Sequence, residues 1–538
     1  MNRQRRHSGN RRSKSLFPKS SALPLSDIVD AKGNVTTFVR DLQSRLTQKV
    51  YPDTTFTAYN YETNSSRLLS VVDAKSQTNL YSYYIDNNIK QVSYSNTNTP
   101  NVSFTYDTNY NRIITMTDGT GVTTYRYYNV TNGQLGAGML SSVSNSFIGA
   151  TSLIGYNYDV LGRITNRAIG TNSVSLTFDA LGRVTVITNL LGKFTNTYVR
   201  ATGLISTNFA PFGKKTIYSY SSVASGERLS EILNQKTNSA TLSKFDYLYD
   251  PIGQITNWTS QTDTTSTNVQ VIQYDPVNQL LADTVHSNTI AGAILKQYAY
   301  GYDASGNRTT EQISSGTNGP VALSQSTYNN DNQLTSRTGG SGQMLFAGSI
   351  SEQPTNVTVN GTAATINRTT TNFTAYVSVS SGTSTNVIIA RDYNNNFATN
   401  KYQLTVTNNG VAKTIYYDLD GNQTNVVTAT STNSYQWDAA NRLISYTSPT
   451  NQTLFTYDGL GRRVQIIEKT NGVAYATNKF LWDGQMIVEQ RNNTGSTVAK
   501  RFFYEGEQIG TTNYYYTRDH LGSIREMVNS TGAIQYRV

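Results

Sequence analysis

The sequence contains no cysteine, three histidines and few charged residues. Because none of its 538 residues is a cysteine, disulfides, thiolate metal sites and a cysteine nucleophile are excluded. The histidines His7, His286 and His520 lie far apart, and no pair has the spacing of a zinc motif such as H-E-x-x-H. No apolar run approaches the roughly 18 residues of a membrane span. The sequence therefore predicts no metal site and no membrane-spanning segment.

Positive charge is concentrated at the N-terminus. The formal net charge is +10, but residues 1–19 alone hold seven basic residues and no acidic one, so the remainder is close to neutral. No apolar segment follows these charges, so no signal peptide is recognisable. We interpret residues 1–26 as a basic, disordered N-terminus, with an arm for nucleic acid or a membrane surface as the alternative. No nucleic-acid partner is expected for the body of the chain.

Tyrosine is the abundant aromatic residue, with 38 copies, and Asn, Thr and Ser fill much of the rest. Thr and Tyr favour strands and Asn favours turns, while long stretches with helical periodicity are absent. The composition therefore predicts an all-β protein.

An aromatic residue followed by aspartate, two spacers and Gly-Arg, or a close variant, recurs along the chain. Clear copies are Y-D-V-L-G-R at 158–163, F-D-A-L-G-R at 178–183 and Y-D-G-L-G-R at 457–462. Two of the aromatic positions, Tyr158 and Phe178, are 20 residues apart, and such a fixed period indicates a repeat architecture.

Each repeat has the pattern of a β-hairpin. Apolar residues alternate with polar ones up to the aromatic residue, the aspartate accepts hydrogen bonds from the turn, and the glycine supplies positive φ. The arginine begins the returning strand, within reach of the aspartate or of a ring. We therefore assign a structural turn role, and no chemistry, to Tyr158, Asp159, Gly162, Arg163, Phe178, Asp179, Gly182, Arg183, Tyr457, Asp458, Gly461 and Arg462.

Linked hairpins predict one long antiparallel sheet. Isolated hairpins are marginal in water, so each must stack on its neighbours, and a long twisted sheet must curl to protect its edges. Both faces of this sheet are polar enough to suit a hollow wall better than a dense core. The predicted fold is thus all-β: tandem hairpins in a long spiralling sheet, with one small inserted β-sandwich.

These motifs resemble those of the YD-repeat, or RHS-repeat, proteins. The string Y-Y-Y-T-R-D-H-L-G-S-I-R from 514 to 525 resembles the start of the RHS-associated core, and this assigns a structural role to Asp519, His520, Gly522 and Arg525. The resemblance implies a hollow shell, similar to those of bacterial toxin complexes and teneurins. In bacterial members the shell commonly holds a toxic C-terminal domain, which implies a cargo or toxin partner and a secreted or cell-surface location.

The resemblance also implies a self-cleaving segment rich in Asp-Pro-x-Gly at the end of the core. The sequence reaches Val538 before such a segment, so we expect a shell truncated within the core, with neither toxin nor self-cleavage in this chain.

Residues 343–408 interrupt the repeat with short alternating strands, spaced as in a small immunoglobulin-like β-sandwich. The predicted domains are therefore the N-terminus 1–26, repeats over 27–342, the sandwich 343–408, and repeats with the start of the core over 409–538. A spacer role for the sandwich competes with binding of a glycan or protein partner.

Candidate chemistry is weak throughout. Asp519, His520 and Ser523 resemble a Ser-His-Asp set, but adjacent residues of a strand point to opposite faces. Asp418 and Asp420 raise the question of calcium, although the segment lacks the length and terminal Glu of an EF-hand loop. We therefore predict no catalytic residue, no cofactor and no metal.

The leading hypothesis is a non-catalytic shell that encloses or presents a C-terminal cargo domain. The alternative is a cell-surface adhesion or glycan-binding protein that uses the repeat wall or the inserted sandwich. A polysaccharide hydrolase, which would need two carboxylates in a cleft, is the third and least supported reading.

Overall fold

The computed structural model describes residues 25–131, 133–263, 266–408 and 412–537. The predicted basic N-terminus lies outside the described residues except for its last two positions. The described residues form 47 β-strands and three short 3₁₀ helices, Ala150–Ser152, Pro211–Gly213 and Val223–Ser225. The all-β prediction is confirmed.

The first 27 strands form a meander in which each strand pairs antiparallel with the next. They are β1 (Asp27–Val29), β2 (Val35–Arg40), β3 (Leu46–Val50), β4 (Phe56–Tyr61), β5 (Leu68–Val72), β6 (Thr78–Tyr83), β7 (Ile89–Tyr94), β8 (Val102–Tyr106), β9 (Ile113–Asp118), β10 (Gly121–Tyr127), β11 (Leu140–Asn145), β12 (Ile154–Tyr158), β13 (Ile164–Ile169), β14 (Asn172–Phe178), β15 (Val184–Asn189), β16 (Gly192–Tyr198), β17 (Ile205–Phe209), β18 (Lys215–Tyr220), β19 (Leu229–Gln235), β20 (Thr241–Tyr249), β21 (Ile255–Thr262), β22 (Ser266–Tyr274), β23 (Leu280–Ser287), β24 (Ile294–Tyr302), β25 (Arg308–Ser315), β26 (Val321–Tyr328) and β27 (Leu334–Gly339). We call this ribbon of paired strands the strip.

The antiparallel pairing of the strip continues on the far side of the inserted strands. Strand β35 pairs with β27 through Arg337 and Lys413, and the meander then proceeds to β47. These strands are β35 (Lys413–Tyr417), β36 (Gln423–Thr428), β37 (Thr432–Trp437), β38 (Leu443–Thr447), β39 (Asn451–Tyr457), β40 (Arg463–Thr470), β41 (Val473–Asp483), β42 (Met486–Arg491), β43 (Val498–Phe503), β44 (Gly506–Ile509), β45 (Thr512–Arg518), β46 (Ile524–Val528) and β47 (Ile534–Arg537). The sheet does not close on itself.

The intervening strands form two layers beside the strip. One sheet comprises β28 (Gly342–Ser349), β31 (Thr365–Asn367) and β32 (Asn372–Val379); the other comprises β29 (Asn356–Val359), β30 (Thr362–Ala363), β33 (Gly382–Arg391) and β34 (Phe397–Asn408). Val357, Phe373 and Val377 pack between the layers. Strand β34 also pairs in parallel with β26, which joins the insertion to the strip. The predicted domain boundaries themselves stay a prediction.

Burial patterns distinguish the strip from the insertion. In β32 buried residues alternate with more accessible ones, as expected of a sheet with one face in a core. In β21 and β23 every position is partly buried, so neither face is fully packed and neither is fully exposed. The strip is therefore a wall one sheet thick over these strands, as the polar composition of both faces predicts.

The strip also curves back onto itself. Hydrogen bonds join residues that are 273 to 360 positions apart in sequence, such as His520 with Tyr247 and Asn79 with Ala439. At the start of the strip, Asn332 donates to Asp30 at 3.0 Å. One edge of the later strands of the strip, which we call the second layer, thus rests on the opposite edge of its earlier strands, the first layer. We call this contact the seam.

The seam allows a direct test at Gly459. A Cβ atom at this position would lie 2.6 Å from Val102 Cγ1 and 2.9 Å from Met116 Sδ, both buried in the earlier layer. We expect Gly459→Ala to destabilise the protein by about 1–3 kcal/mol, because the seam would be overpacked. The measurement is the free energy of urea unfolding.

The matched control is Gly155→Ala in β12. An added Cβ there meets no atom within 4 Å, and its φ lies outside the left-handed region. We expect no loss of stability, because the change only restricts the unfolded chain. Equal stability of the Gly459→Ala and Gly155→Ala variants would contradict a packed seam.

Candidate functional site: the aspartate turn and the seam

The hairpin loop after each strand-ending aromatic residue, which we call the aspartate turn, has the same geometry in successive repeats. In the copy at 158–163, Asp159 Oδ1 accepts from the backbone N–H groups of Leu161 and Arg163, both at 2.9 Å. Its other oxygen, Oδ2, accepts from Arg163 Nε at 2.6 Å. One carboxylate therefore holds the loop backbone and the returning arginine together.

The loop itself is a β-turn closed by glycine. Gly162 N–H donates to the Asp159 carbonyl at 3.1 Å, and Gly162 has φ of 75°. The strand register shifts between Asn157 and Tyr158, as expected of a bulge next to a left-handed residue. Gly182, Gly461 and Gly522 have φ of 79°, 74° and 78°. Non-glycine residues would be strained in this conformation.

Each turn also contacts the hairpins on either side. The Tyr158 hydroxyl donates to the Leu140 carbonyl of the preceding hairpin at 2.7 Å. The Arg163 guanidinium lies 4.4 Å from the centre of the Phe178 ring in the following one. The turn residues predicted from the sequence thus form a continuous ladder along one edge of the strip.

This ladder runs through most of the described strip. Hydroxyl or indole groups donate to a carbonyl of the neighbouring hairpin from Tyr61, Tyr83, Tyr106, Tyr127, Tyr158, Tyr198, Tyr220, Tyr249, Tyr274, Tyr302, Tyr328, Tyr417, Trp437, Tyr457 and Trp482. Tyr417 reaches Leu334 across the insertion at 2.8 Å. The repeat therefore continues in space where it is interrupted in sequence.

Hydrogen bonds change the pKa of the turn aspartates. Backbone hydrogen bonds lower the pKa of Asp159 and of Asp179 below the ordinary value for aspartate. A carboxylate with a lowered pKa stabilises the fold above its unfolded pKa, and that contribution is lost as pH falls through the folded pKa. The contribution of these two turns to stability is therefore lost only at acidic pH.

The same motif is buried where the later strip meets the earlier one. The Asp159 side chain is 19% exposed, whereas that of Asp458 is 0% exposed. The Asp458 turn rests on the β9–β10 loop, where Gly459 N–H donates to Asp118 Oδ2. Similarly, Ala439 N–H donates to Thr99 Oγ1 at 2.8 Å. Aspartate turns of the second layer therefore form one side of the seam.

The C-terminal motif is an aspartate turn with a displaced arginine. Asp519 Oδ1 accepts from the N–H groups of Leu521 and Ser523 at 2.9 and 3.0 Å. Because position 523 is serine, the partner of Oδ2 is Arg525 Nε at 2.8 Å, two residues later than usual. Arg525 also lies 5.0 Å from the centre of the Trp258 ring in the earlier layer.

His520 packs into the earlier layer. Its ring centre is 4.6 Å from that of Tyr247 and 5.4 Å from that of Trp258. Burial lowers the pKa of His520, which favours the neutral ring. Asp519 binds Arg525, and Ser523 contributes its backbone N–H to the turn, so the structure brings these three residues together in a turn.

A lysine occupies the acidic cluster considered for calcium. Lys75 Nζ lies 2.8 Å from Asp418 Oδ2 and 3.2 Å from Asp420 Oδ2 across the seam. The ammonium group therefore supplies the positive charge between these carboxylates. Over the described ranges, no group of three or more His, Cys, Asp or Glu side chains is arranged to hold a metal ion.

Comparisons with known proteins agree with this geometry. The family model described as RHS Repeat matches residues 417–453 and, in an overlapping copy, 437–474. No curated protein matches the chain. Both matched segments contain aspartate turns that the sequence analysis attributes to the same family.

Residues 417–474 thus carry the RHS repeat. Its fold is similar to a structure of the Photorhabdus luminescens Tc holotoxin pore, with a TM-score of 0.53 and 14% identity over 93% of this chain. A crystal structure of TcdB2-TccC3 without its hypervariable C-terminal region covers 94% of this chain at 14% identity, with a TM-score of 0.49. The chain spans 25% and 27% of the lengths of these two chains.

Two seam partners of the repeats, Thr99 and Asp118, belong to loops without the motif. Lys75 belongs to a turn of the same hydrogen-bonding geometry, in which Asp73 Oδ1 accepts from the N–H groups of Lys75 and Gln77. The sequence gives no signal for the contact of Lys75 with Asp418. The helices within the described part of the chain include none long and apolar enough to span a membrane.

Two copies of the motif provide a matched test of the seam. We expect Asp458→Ala to cost about 3–5 kcal/mol of unfolding free energy, because it leaves the buried Arg462 guanidinium without its carboxylate. Asp159→Ala removes the same groups at an exposed turn, so we expect a much smaller loss. Chemical denaturation measures both, and equal losses would show that the second-layer turn is not buried.

Asp331 gives a pH-dependent test. Burial and the neighbouring Asp53 carboxylate raise the pKa of Asp331 to about 6. The folded state therefore favours the protonated acid, and stability falls as pH rises from about 4 to 6. We expect Asp331→Asn to raise the melting temperature at pH 7.5 and to leave it unchanged at pH 4.

The control for Asp331→Asn is Asp86→Asn, at an exposed turn. Thermal unfolding followed by circular dichroism at both pH values measures the effect. A gain that is equal at pH 4 and pH 7.5 would contradict repulsion across the seam.

Proposed function

We propose that this chain is the wall of a non-catalytic RHS shell that encloses or presents a cargo polypeptide. The observation that carries the proposal is a strip one sheet thick that returns onto its own edge. A wall of this kind shields one of its sides and can restrict the approach of a protease or a target molecule to that side.

The residues of the repeat support a passive role. The aspartates, tyrosines and arginines of the turns are engaged with one another or with backbone carbonyls. Side chains committed in this way stabilise the wall and have no remaining function as general acid, base or nucleophile. This supports sequestration by steric exclusion, without turnover.

The similarity to a chain of the Tc holotoxin pore supports a toxin-related setting. We propose that the cargo is a toxin or effector polypeptide, in a longer form of this chain or on a separate one, and that the assembly is exported or displayed at the cell surface. We also propose the boundaries 27–342, 343–408 and 409–538 for the repeats, the inserted sandwich and the second group of repeats.

Protease protection tests the enclosure of cargo. An unstructured reporter peptide with a protease site is fused after Val538, and an identical reporter is fused before Met1 as the control. We expect the C-terminal reporter to be cleaved more slowly than the N-terminal one, because the wall restricts access of the protease. The rates are measured by gel electrophoresis of time points.

A variant that weakens the seam provides a second part of the protease-protection experiment. We expect Gly459→Ala to speed cleavage of the C-terminal reporter and leave the N-terminal rate unchanged. Equal cleavage of the two reporters in the unmodified shell would contradict enclosure.

A further inference from the structure

A large cleft separates the inserted sandwich from the strip. Its volume is about 1200 Å³, and its walls come from β22–β25 on one side and from the sheet β28–β32–β31 on the other. This exceeds the range of about 300–1,000 Å³ that is usual for sites of drug-sized ligands. The space therefore suits an oligomer.

The sandwich is anchored at one end of the cleft. Met344 and Val379 of the insertion pack against Val321 and Leu323 of β26. The Gln312 side-chain amide lies against the Leu345 backbone and, in the orientation that satisfies both groups, donates to the Leu345 carbonyl at 3.2 Å. The two walls are thus held at a fixed separation, and the cleft is preformed.

Strand periodicity places polar side chains on the insertion wall. In β32, Phe373, Ala375 and Val377 are buried in the sandwich core. The alternate residues Thr374 and Tyr376 therefore face the strip, and both line the cleft. Tyr376 is 43% exposed, so solvent reaches this wall.

The strip wall is nearly uncharged and mixes polar side chains with apolar ones such as Leu281 and Ala282. Gln297, Thr284 and Ser314 line it as cross-strand neighbours, and Asp275 is the acid among the described lining residues, which include no lysine or arginine. Uncharged amides and hydroxyls that donate and accept hydrogen bonds match a ligand dense in hydroxyl groups. The absence of basic groups from this described lining disfavours phosphate backbones and acidic polymers.

Tyr376 crosses the cleft toward the strip. Its ring approaches Gly301 so closely that a Cβ there would lie 3.1 Å from Tyr376 Cε1. Asp275 and Tyr376 both line the cleft. An aromatic ring and a carboxylate within one cleft offer apolar stacking and a strong hydrogen-bond acceptor to the same ligand.

We propose that this cleft binds a neutral oligosaccharide, with Tyr376 as the stacking residue and Asp275 and Gln297 as hydrogen-bonding residues. Both walls present strand faces, so a peptide could not add to the sheet through backbone hydrogen bonds there. The site faces the insertion and not the seam. Of its three proposed binding residues, Asp275 also belongs to an aspartate turn of the wall, in which its Oδ1 accepts from the N–H groups of Val277 and Gln279.

The experiment is a glycan array probed with the full chain, followed by isothermal titration of the best neutral oligosaccharide. We expect Tyr376→Ala to weaken binding about tenfold or more, through loss of one stacking contact. We expect Thr374→Trp, which fills the cleft from the insertion side, to abolish it. The control is Tyr402→Ala, which removes an exposed tyrosine outside the cleft lining and should leave affinity within about twofold.

Circular dichroism and thermal unfolding establish that each variant is folded. Absence of any neutral glycan signal, binding restricted to acidic glycans, or equal affinity of the Tyr376→Ala and Tyr402→Ala variants would overturn the proposal. None of these results alters the protease-protection test, so failure of the cleft and failure of the shell are distinguishable.

Discussion

The rest of this structure depends on the hydrogen bonds of the repeat aspartate, whose two carboxylate oxygens have different partners. One oxygen holds the backbone of the turn, and the other holds an arginine that extends over the aromatic ring of the next hairpin, as in Asp159, Arg163 and Phe178. Because one hairpin is marginal alone, the ladder of such contacts makes the strip cooperative along its length. Apolar clusters where the layers meet add to this ladder, as where Ile154 packs with Leu481 and Val488.

The aspartate turn occurs in two environments, partly exposed and buried, and the buried copies allow the strip to stack on itself. Asp159 and Asp179 of the first layer are partly exposed, whereas Asp438 and Asp458 of the second are buried, Asp458 beside loops more than 300 residues away. A turn that already satisfies its own polar groups can be buried at low cost. A repeated loop whose polar groups are already hydrogen-bonded thus allows one edge of the strip to stack on the other. The insertion lies outside this pattern and is joined to the strip through β26 and β34.

The local parts of this account could be predicted from the sequence. The Y-D-V-L-G-R pattern specifies the hairpin, its turn and the glycine conformation, because these depend on residues within one repeat. The seam could not, since Lys75 and Asp418 are separated by 343 positions and neither loop carries a signal for their contact. The curvature of the sheet decides which loops meet, and it sums small twists over many strands. The cleft was missed for the same reason, because Tyr376 and Gly301 meet only through the anchoring of the insertion.

Distance measurement across the seam tests the central claim most directly. The chain lacks cysteine, so spin labels can be placed at Ser76→Cys and Leu419→Cys alone, next to the contact of Lys75 with Asp418. Double electron–electron resonance should give a short, narrow distance distribution in the native protein, which lengthens and broadens in denaturant. A long or broad distribution under native conditions would contradict a strip that returns onto its own edge.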